Sequence, residues 1–176
     1  MSAKLAAKQL VKNIIKETNF KPKWFLTVHY KSNKSFVLSD KVDKSRILDE
    51  TDSIEKVCRE FRHLKNLLLC KVYNVKSAKR ISCNKFRFLS FYELGEAKSN
   101  YHNHIVIEKI PNYPLITDVE SLMESVQLKH PGIENSQSAI DVREIYSTGW
   151  ISYVLKTATE SYLPLDINFS NINAKT

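Results

Sequence analysis

Two histidines at the head of an apolar segment are the first candidates for chemistry. His102 and His104 lie two residues apart, directly before Ile105-Val106-Ile107. Side chains alternate between the faces of a β-strand, so a strand here would project both imidazoles from the same side, close enough to grip one metal ion. An isolated His-x-His pair more often lies on a solvated sheet face. The apolar strand that follows this pair favours a metal site.

An acidic residue upstream could complete such a site. Glu93 ends the preceding predicted strand, so pairing in a hairpin would bring its carboxylate towards the imidazoles. Glu96 and Glu108 compete for this role, but Glu108 lies about 13 Å along the strand from His104. Two imidazoles and one carboxylate leave coordination positions open. That set suits Mn²⁺ or Mg²⁺ engaged with phosphate oxygens, although other divalent ions also accept it.

A tyrosine and a lysine three residues apart form the third candidate group. Tyr153 and Lys156 fall roughly 60° apart on a helical wheel, away from the apolar face of the segment. An exposed Tyr-Lys pair on a surface helix is the alternative interpretation. The apolar face comprises Ile151, Val154, Leu155 and Ala158.

These groups have complementary roles in phosphoryl transfer. A divalent ion stabilises the charge that builds on the phosphate oxygens in the transition state. A phenol ionises near pKa 10, so a tyrosine nucleophile benefits from a cation supplied by Lys156 or by the metal. Attack by Tyr153 on a phosphodiester would give a 5′-phosphotyrosine and a free 3′-hydroxyl. The covalent bond conserves the phosphodiester energy, so the same site could reseal or transfer the strand.

The hydrophobic patterns predict the elements that must position these residues. Residues 24–30 are predicted to form a strand and residues 31–48 a loop. A long helix follows, with Asp52 and Glu55 as its capping box. Its buried face is predicted to comprise Ile54, Val57, Phe61, Leu64 and Leu68. Residues 86–94 and 101–110 form a predicted hairpin around the turn 95–100. A helix from Thr117, capped with Glu120, then a strand at 139–146 and a helix from Ser147 or Thr148 to about Glu160 complete the order. This order predicts an α+β fold, an antiparallel sheet with flanking helices close to the ferredoxin-like or RRM-like arrangement.

The length and composition fit one domain, predicted to span residues 1–162, with 163–176 as a flexible tail. Residues 1–20 are predicted to form a basic amphipathic helix packed on the domain, with a DNA contact or a targeting segment as alternatives. The net charge of +8 favours a polyanionic partner, nucleic acid before an anionic membrane. The best candidates for contacts to its backbone are Lys79, Arg80, Lys85 and Arg87, although a solvated basic loop is an equal alternative. The three unpatterned cysteines and the lack of a long apolar run predict a reducing, cytoplasmic setting and no membrane partner.

The ordered motifs resemble those of the HUH endonucleases, in particular the single-tyrosine initiators of rolling-circle replication. The resemblance covers about residues 24–156 and includes Phe25-Leu26-Thr27-Val28, His102-Asn103-His104 and the Tyr153-x-x-Lys156 motif. It implies that Glu93 completes the metal site and that the protein nicks and rejoins single-stranded or hairpin DNA at the replication origin of a plasmid or virus. The chain has no P-loop, so a helicase would come from a host or a separate gene.

Asn103 departs from the family pattern, because it occupies a position that usually carries a hydrophobic residue. The absence of a second tyrosine four residues from Tyr153 argues against the two-tyrosine branch. A transposase or a relaxase would share the same chemistry and remains an alternative. So does a non-catalytic module that binds single-stranded nucleic acid through an aromatic sheet and basic surroundings.

Overall fold

The computed structural model describes residues 2–31, 50–78, 87–94, 101–158 and 164–165. Among these residues, no helix combines the length and the apolar character needed to cross a membrane. The predicted loop beyond residue 31 and the turn 95–100 lie outside the described residues. The elements are, in chain order, α1 (Ala3–Glu17), β1 (Trp24–His29), α2 (Glu50–Val72), β2 (Phe88–Leu94), β3 (Tyr101–Ile107), α3 (Ile116–Gln127), β4 (Ile140–Glu144) and α4 (Gly149–Val154).

The strands form one antiparallel sheet in the order β2-β3-β1-β4. The chain from β1 to β4 follows a β-α-β-β-α-β order, and β3 lies between β1 and β2. Sequence order and strand order together define the ferredoxin-like arrangement. The predicted α+β fold with helices on an antiparallel sheet is therefore confirmed.

Helices cover both faces of the sheet, which explains why β1 is buried along nearly its whole length. On one face, which we call the α2/α3 face, Phe61 and Leu64 of α2 share an apolar core with Trp24 and Leu26 of β1, and the Phe61 ring packs against that of Phe88. On the opposite α1/α4 face, the first and last helices pack over alternate strand residues. That second core includes Ala7, Val11, Phe25, Leu89, Phe91, Val106, Ile151 and Val154. Each face thus has its own apolar core.

Helix α1 confirms the prediction of an amphipathic helix packed on the domain, although it ends at Glu17; its buried residues are Ala7 and Val11. Two of its lysines contact residues close to Tyr153, on α4 and in the turn that follows it. The Lys4 ammonium donates to the carbonyl of Lys156 at 3.2 Å, and the Lys8 ammonium donates to the hydroxyl of Ser152 at 2.9 Å. The helix therefore braces α4.

The predicted helix ends need correction. Helix α2 already includes Glu50, so Asp52 cannot be its N-cap. Helix α3 begins at Ile116, and the Leu115 N–H donates to the Asp118 carboxylate at 3.1 Å, so Thr117 and Glu120 do not form its capping box. Short polar residues such as threonine favour the N-cap position, but α3 begins after Leu115, whose side chain makes no capping hydrogen bond.

The last helix is also shorter than predicted, because α4 ends at Val154 instead of near Glu160. The chain continues in tighter turns, in which the Lys156 N–H donates to the Tyr153 carbonyl and the Ala158 N–H to the Leu155 carbonyl. The predicted flexible tail contributes to the fold as well. Leu165 pairs with Phe91 and is buried in the second core, so part of the tail belongs to the packed domain.

Candidate metal centre and its tyrosine

The hairpin of β2 and β3 sets the position of every candidate metal ligand. Glu93 lies directly opposite His102, and Phe91 lies opposite His104. Directly opposed residues of an antiparallel pair share a face, and residues two apart on one strand do so too. Glu93, His102 and His104 therefore project together from the α1/α4 face of the sheet.

The three side chains converge on one point. The Nε2 atoms of His102 and His104 lie 3.2 and 3.1 Å from Oε2 of Glu93. One ligand atom from each residue falls within 4.8 Å of the others, a spacing that could hold a metal ion. His104 is buried and His102 is partly accessible. The group is therefore a candidate site for a divalent metal that is open on one side.

Residues on β1 hold the His104 ring in place. The hydroxyl of Thr27 lies 3.1 Å from Nδ1 of His104, and the Phe25 ring stacks on the imidazole at 5.4 Å. A hydroxyl can both donate and accept, so Thr27 can satisfy Nδ1 in either tautomer. When Nδ1 carries the proton, Nε2 presents a lone pair, which is the usual state of a metal-binding histidine.

The ionisation states also fit a cation site. Burial lowers the pKa of His104 to about 4, despite the opposing hydrogen bond to Glu93, so the imidazole is neutral at pH 7. Burial would raise the pKa of the Glu93 carboxyl. Hydrogen bonds from Lys156 and His104, together with the nearby charges, outweigh burial, and the net pKa of Glu93 is lowered. An ionised carboxylate and a neutral imidazole are the forms that bind metal.

Tyr153 and Lys156 reach the same group from α4 and the turn that follows it. The Lys156 ammonium lies 3.0 Å from Oε1 of Glu93 and 4.6 Å from the centre of the Tyr153 ring. The Tyr153 ring lies 5.1 Å from that of His104 and remains 49% exposed. The predicted apolar face of this segment, including Ile151 and Val154, is buried. The structure thus brings all five predicted catalytic and metal-binding residues together.

The other predicted site residues are not brought to this group. Arg87 is buried, and its guanidinium pairs with Glu108 at 2.9 Å and donates to the Thr18 carbonyl at 2.6 Å. Arg87 therefore does not serve as a surface contact for DNA, because its guanidinium is buried and its two terminal nitrogens donate to groups inside the fold. The same ion pair occupies Glu108. Glu96, Lys79, Arg80 and Lys85 lie outside the described residues.

Asn103, which differs from the hydrophobic residue of the HUH motif, lies on the α2/α3 face of the sheet, opposite to His102 and His104. It is buried, and its side-chain amide donates to the hydroxyl of Ser90 at 3.1 Å. Ser90 lies on the neighbouring strand and faces the same side. A polar pair therefore replaces the expected hydrophobic residue without disturbing the metal ligands on the other face.

The sequence analysis did not assign roles to Thr27, Phe25 or His29 at this site. Strand β1 pairs with β3 so that Thr27 lies opposite His104 and His29 opposite His102. The rings of His29 and His102 are 5.1 Å apart. Alternation along residues 24–29 indicated which side chains share a face. It could not indicate that β1, rather than β4, would lie beside β3.

Comparisons with known proteins leave the family open. No protein-family model matches the chain, and no match was found among the curated proteins or the solved structures. The functional conclusion therefore depends on the geometry of the site and on the resemblance in motif.

Removing a ligand should weaken metal binding. We expect Glu93→Gln, and the double change of His102 and His104 to Ala, to lower the affinity for Mn²⁺ at least about tenfold, since each removes a donor from the group. Titration followed by the Mn²⁺ electron paramagnetic resonance signal measures free ion directly. His63→Ala, an exposed histidine on α2, is the control. Unchanged affinity in Glu93→Gln would exclude this metal site.

The buried imidazole should make the metal-free protein sensitive to acid. Between the ordinary pKa of 6.5 and about 4 in the fold, the unfolded chain binds more protons at His104 than the folded chain. The free energy of unfolding should therefore fall as the pH drops from 6.5 to 4, by up to about 3 kcal/mol from this residue. Urea unfolding across this range should show a smaller loss in His104→Gln. His130, whose pKa burial also lowers, is common to both proteins, so equal losses would contradict the assignment to His104.

Proposed function

We propose that the protein is a metal-dependent DNA nicking-joining enzyme that forms a 5′-phosphotyrosine intermediate. The observation that carries this proposal is the convergence of Tyr153 and Lys156 with the Glu93, His102 and His104 group. These residues lie on separate elements, and buried polar groups gathered in this way are costly unless they are paired or used. A neutral imidazole, an ionised carboxylate and an accessible phenol suit metal-assisted phosphoryl transfer to a tyrosine.

Each residue has a defined task in this proposal. Glu93, His102 and His104 hold the divalent cation, Mn²⁺ or Mg²⁺, which when bound polarises a non-bridging phosphate oxygen. The Tyr153 hydroxyl loses its proton to solvent as its oxygen attacks phosphorus, the bond from phosphorus to the 3′ oxygen breaks, and the 3′ oxygen takes up a proton from solvent to become a free hydroxyl. Lys156, whose ammonium lies 4.6 Å from the centre of the Tyr153 ring, would stabilise the negative charge that develops during the transfer. Reversal of the same steps rejoins the strand.

The substrate that fits the proposal is single-stranded or hairpin DNA at the replication origin of a plasmid or virus. The basic composition supports a polyanionic partner. Lys79, Arg80 and Lys85 remain the proposed backbone contacts, and a separate helicase would open the duplex. A transposase or a relaxase would use the same residues, and the cognate DNA would separate these possibilities.

Removing the phenolic oxygen should abolish the covalent product. A pool of single-stranded oligonucleotides with a randomised centre and a 3′ label, incubated with the protein and Mn²⁺, should give a labelled adduct on a denaturing gel. Tyr153→Phe should give none, while the retention of DNA on a native gel persists. Tyr113→Phe, a half-buried tyrosine packed on the α2/α3 core, is the matched control. An adduct formed by Tyr153→Phe would assign the nucleophile to another residue.

Removing the lysine charge should change catalysis and metal binding in opposite directions. Lys156→Gln should slow adduct formation about 10²- to 10³-fold, as does loss of one group that stabilises developing charge. The same variant should bind Mn²⁺ more tightly, because the Glu93 carboxylate loses the ammonium that competes for it at 3.0 Å. Adduct rates and Mn²⁺ titrations test both parts. Lys129→Gln, an exposed lysine after α3, should change neither; weaker Mn²⁺ binding by Lys156→Gln would contradict the competition.

A further inference from the structure

A cavity of about 280 Å³ adjoins Tyr153, and its lining residues do not include Lys156, Glu93, His102 or His104. It opens between β4 and α4 on the α1/α4 face, and its volume approaches the roughly 300 Å³ at which small-molecule sites begin. The proposed phosphoryl transfer gives this cavity no role. The residues that matter here are Phe25, Thr27, Asp141, Arg143, Trp150 and Tyr153.

Aromatic side chains form the apolar walls of this cavity. Phe25 packs edge to face against Tyr153 at 5.9 Å and also stacks on His104, so the cavity and the metal group share one wall. Trp150 lies on the other side, largely buried against Phe91. Aromatic faces of this kind stack nucleobases in single-stranded nucleic acids. A base in the cavity would therefore belong to a nucleotide next to the phosphate at Tyr153.

Asp141 and Arg143 supply the polar edge. They are two residues apart on β4, opposite Thr27 and Phe25 of β1, and therefore face the cavity side of the sheet. Arg143 Nε donates to Oδ2 of Asp141 at 2.7 Å. Neither side chain makes another hydrogen bond or ion pair within the described part of the chain. The terminal guanidinium N–H groups and the second carboxylate oxygen are therefore available to a ligand.

We propose that this cavity binds a guanine base of the DNA strand adjacent to the cleaved phosphate, and that Asp141 and Arg143 select it. The proposal rests on the proposed function for the identity of the strand. Guanine carries two neighbouring N–H donors, on N1 and on the exocyclic amine, beside the acceptor O6. A carboxylate accepts from the donors, and an arginine fork donates to the guanine acceptors. Adenine, cytosine and thymine each lack that pair of adjacent donors.

The preference can be measured without cleavage. Fluorescently labelled pentamers d(TTGTT), d(TTATT), d(TTCTT) and d(TTTTT) are titrated with the intact protein in EDTA, and the affinity is read from anisotropy. We expect d(TTGTT) to bind at least about tenfold more tightly than the others, since a good bidentate pair to a base gives this discrimination. Asp141→Asn and Arg143→Gln should each reduce the preference to less than about threefold.

Matched variants locate the effect. Arg59→Gln removes an exposed charge from α2, the opposite side of the sheet, and should keep the guanine preference. Tryptophan emission should be quenched by d(TTGTT) in the parent protein and not in Trp150→Phe, because Trp24 lies in the other core. Equal affinity for the four pentamers, or a preference that survives Asp141→Asn, would overturn the assignment. Either result leaves adduct formation by Tyr153 to be judged separately, and a failure to form adducts leaves the guanine preference measurable.

Discussion

The arrangement of the site depends on one buried carboxylate, that of Glu93. Its Oε2 faces both imidazoles and its Oε1 meets the Lys156 ammonium, so strands β2 and β3 and the turn after α4 are tied to one group. An ionised carboxylate in an apolar setting must be paired. A shift of one residue between β2 and β3 would turn Glu93 to the other face of the sheet. The site therefore forms only in the observed register of the hairpin.

The two faces of the sheet divide packing from chemistry. The α2/α3 face carries a core of large apolar side chains such as Phe61 and Trp24, and the buried pair of Asn103 and Ser90 lies on the same face. Over the α1/α4 face, the apolar core is interrupted by Glu93 and His104 where α4 ends. Glu93, His102 and His104 lie beside the end of this helix, near Lys156, and the cavity beside Tyr153 is lined by residues of β1, β4 and α4.

Contacts with neighbouring side chains hold the Tyr153 ring in position. The rings of Phe25 and His104 and the ammonium of Lys156 all contact its ring, while about half of the side chain stays open to solvent. Helix α1 stabilises this corner indirectly, since Lys4 and Lys8 hold the backbone and Ser152 beside the tyrosine. The Tyr153 ring is therefore held in position by its neighbours and is still accessible from solvent.

The sequence alone determined the strand alternation that places His102 and His104 on one face, the helical spacing that buries Ile151 and Val154, and the α+β order, because these follow from local geometry and apolar periodicity. It predicted Glu93 as the acidic partner through the hairpin. The tertiary structure decided where α4 ends and that Arg87 pairs with Glu108 inside the fold. It also decided that Thr27, Asp141 and Arg143 line a cavity together with Tyr153. These features arise from contacts between residues far apart in the chain, and no local pattern encodes which strands become neighbours or which charges find a buried partner.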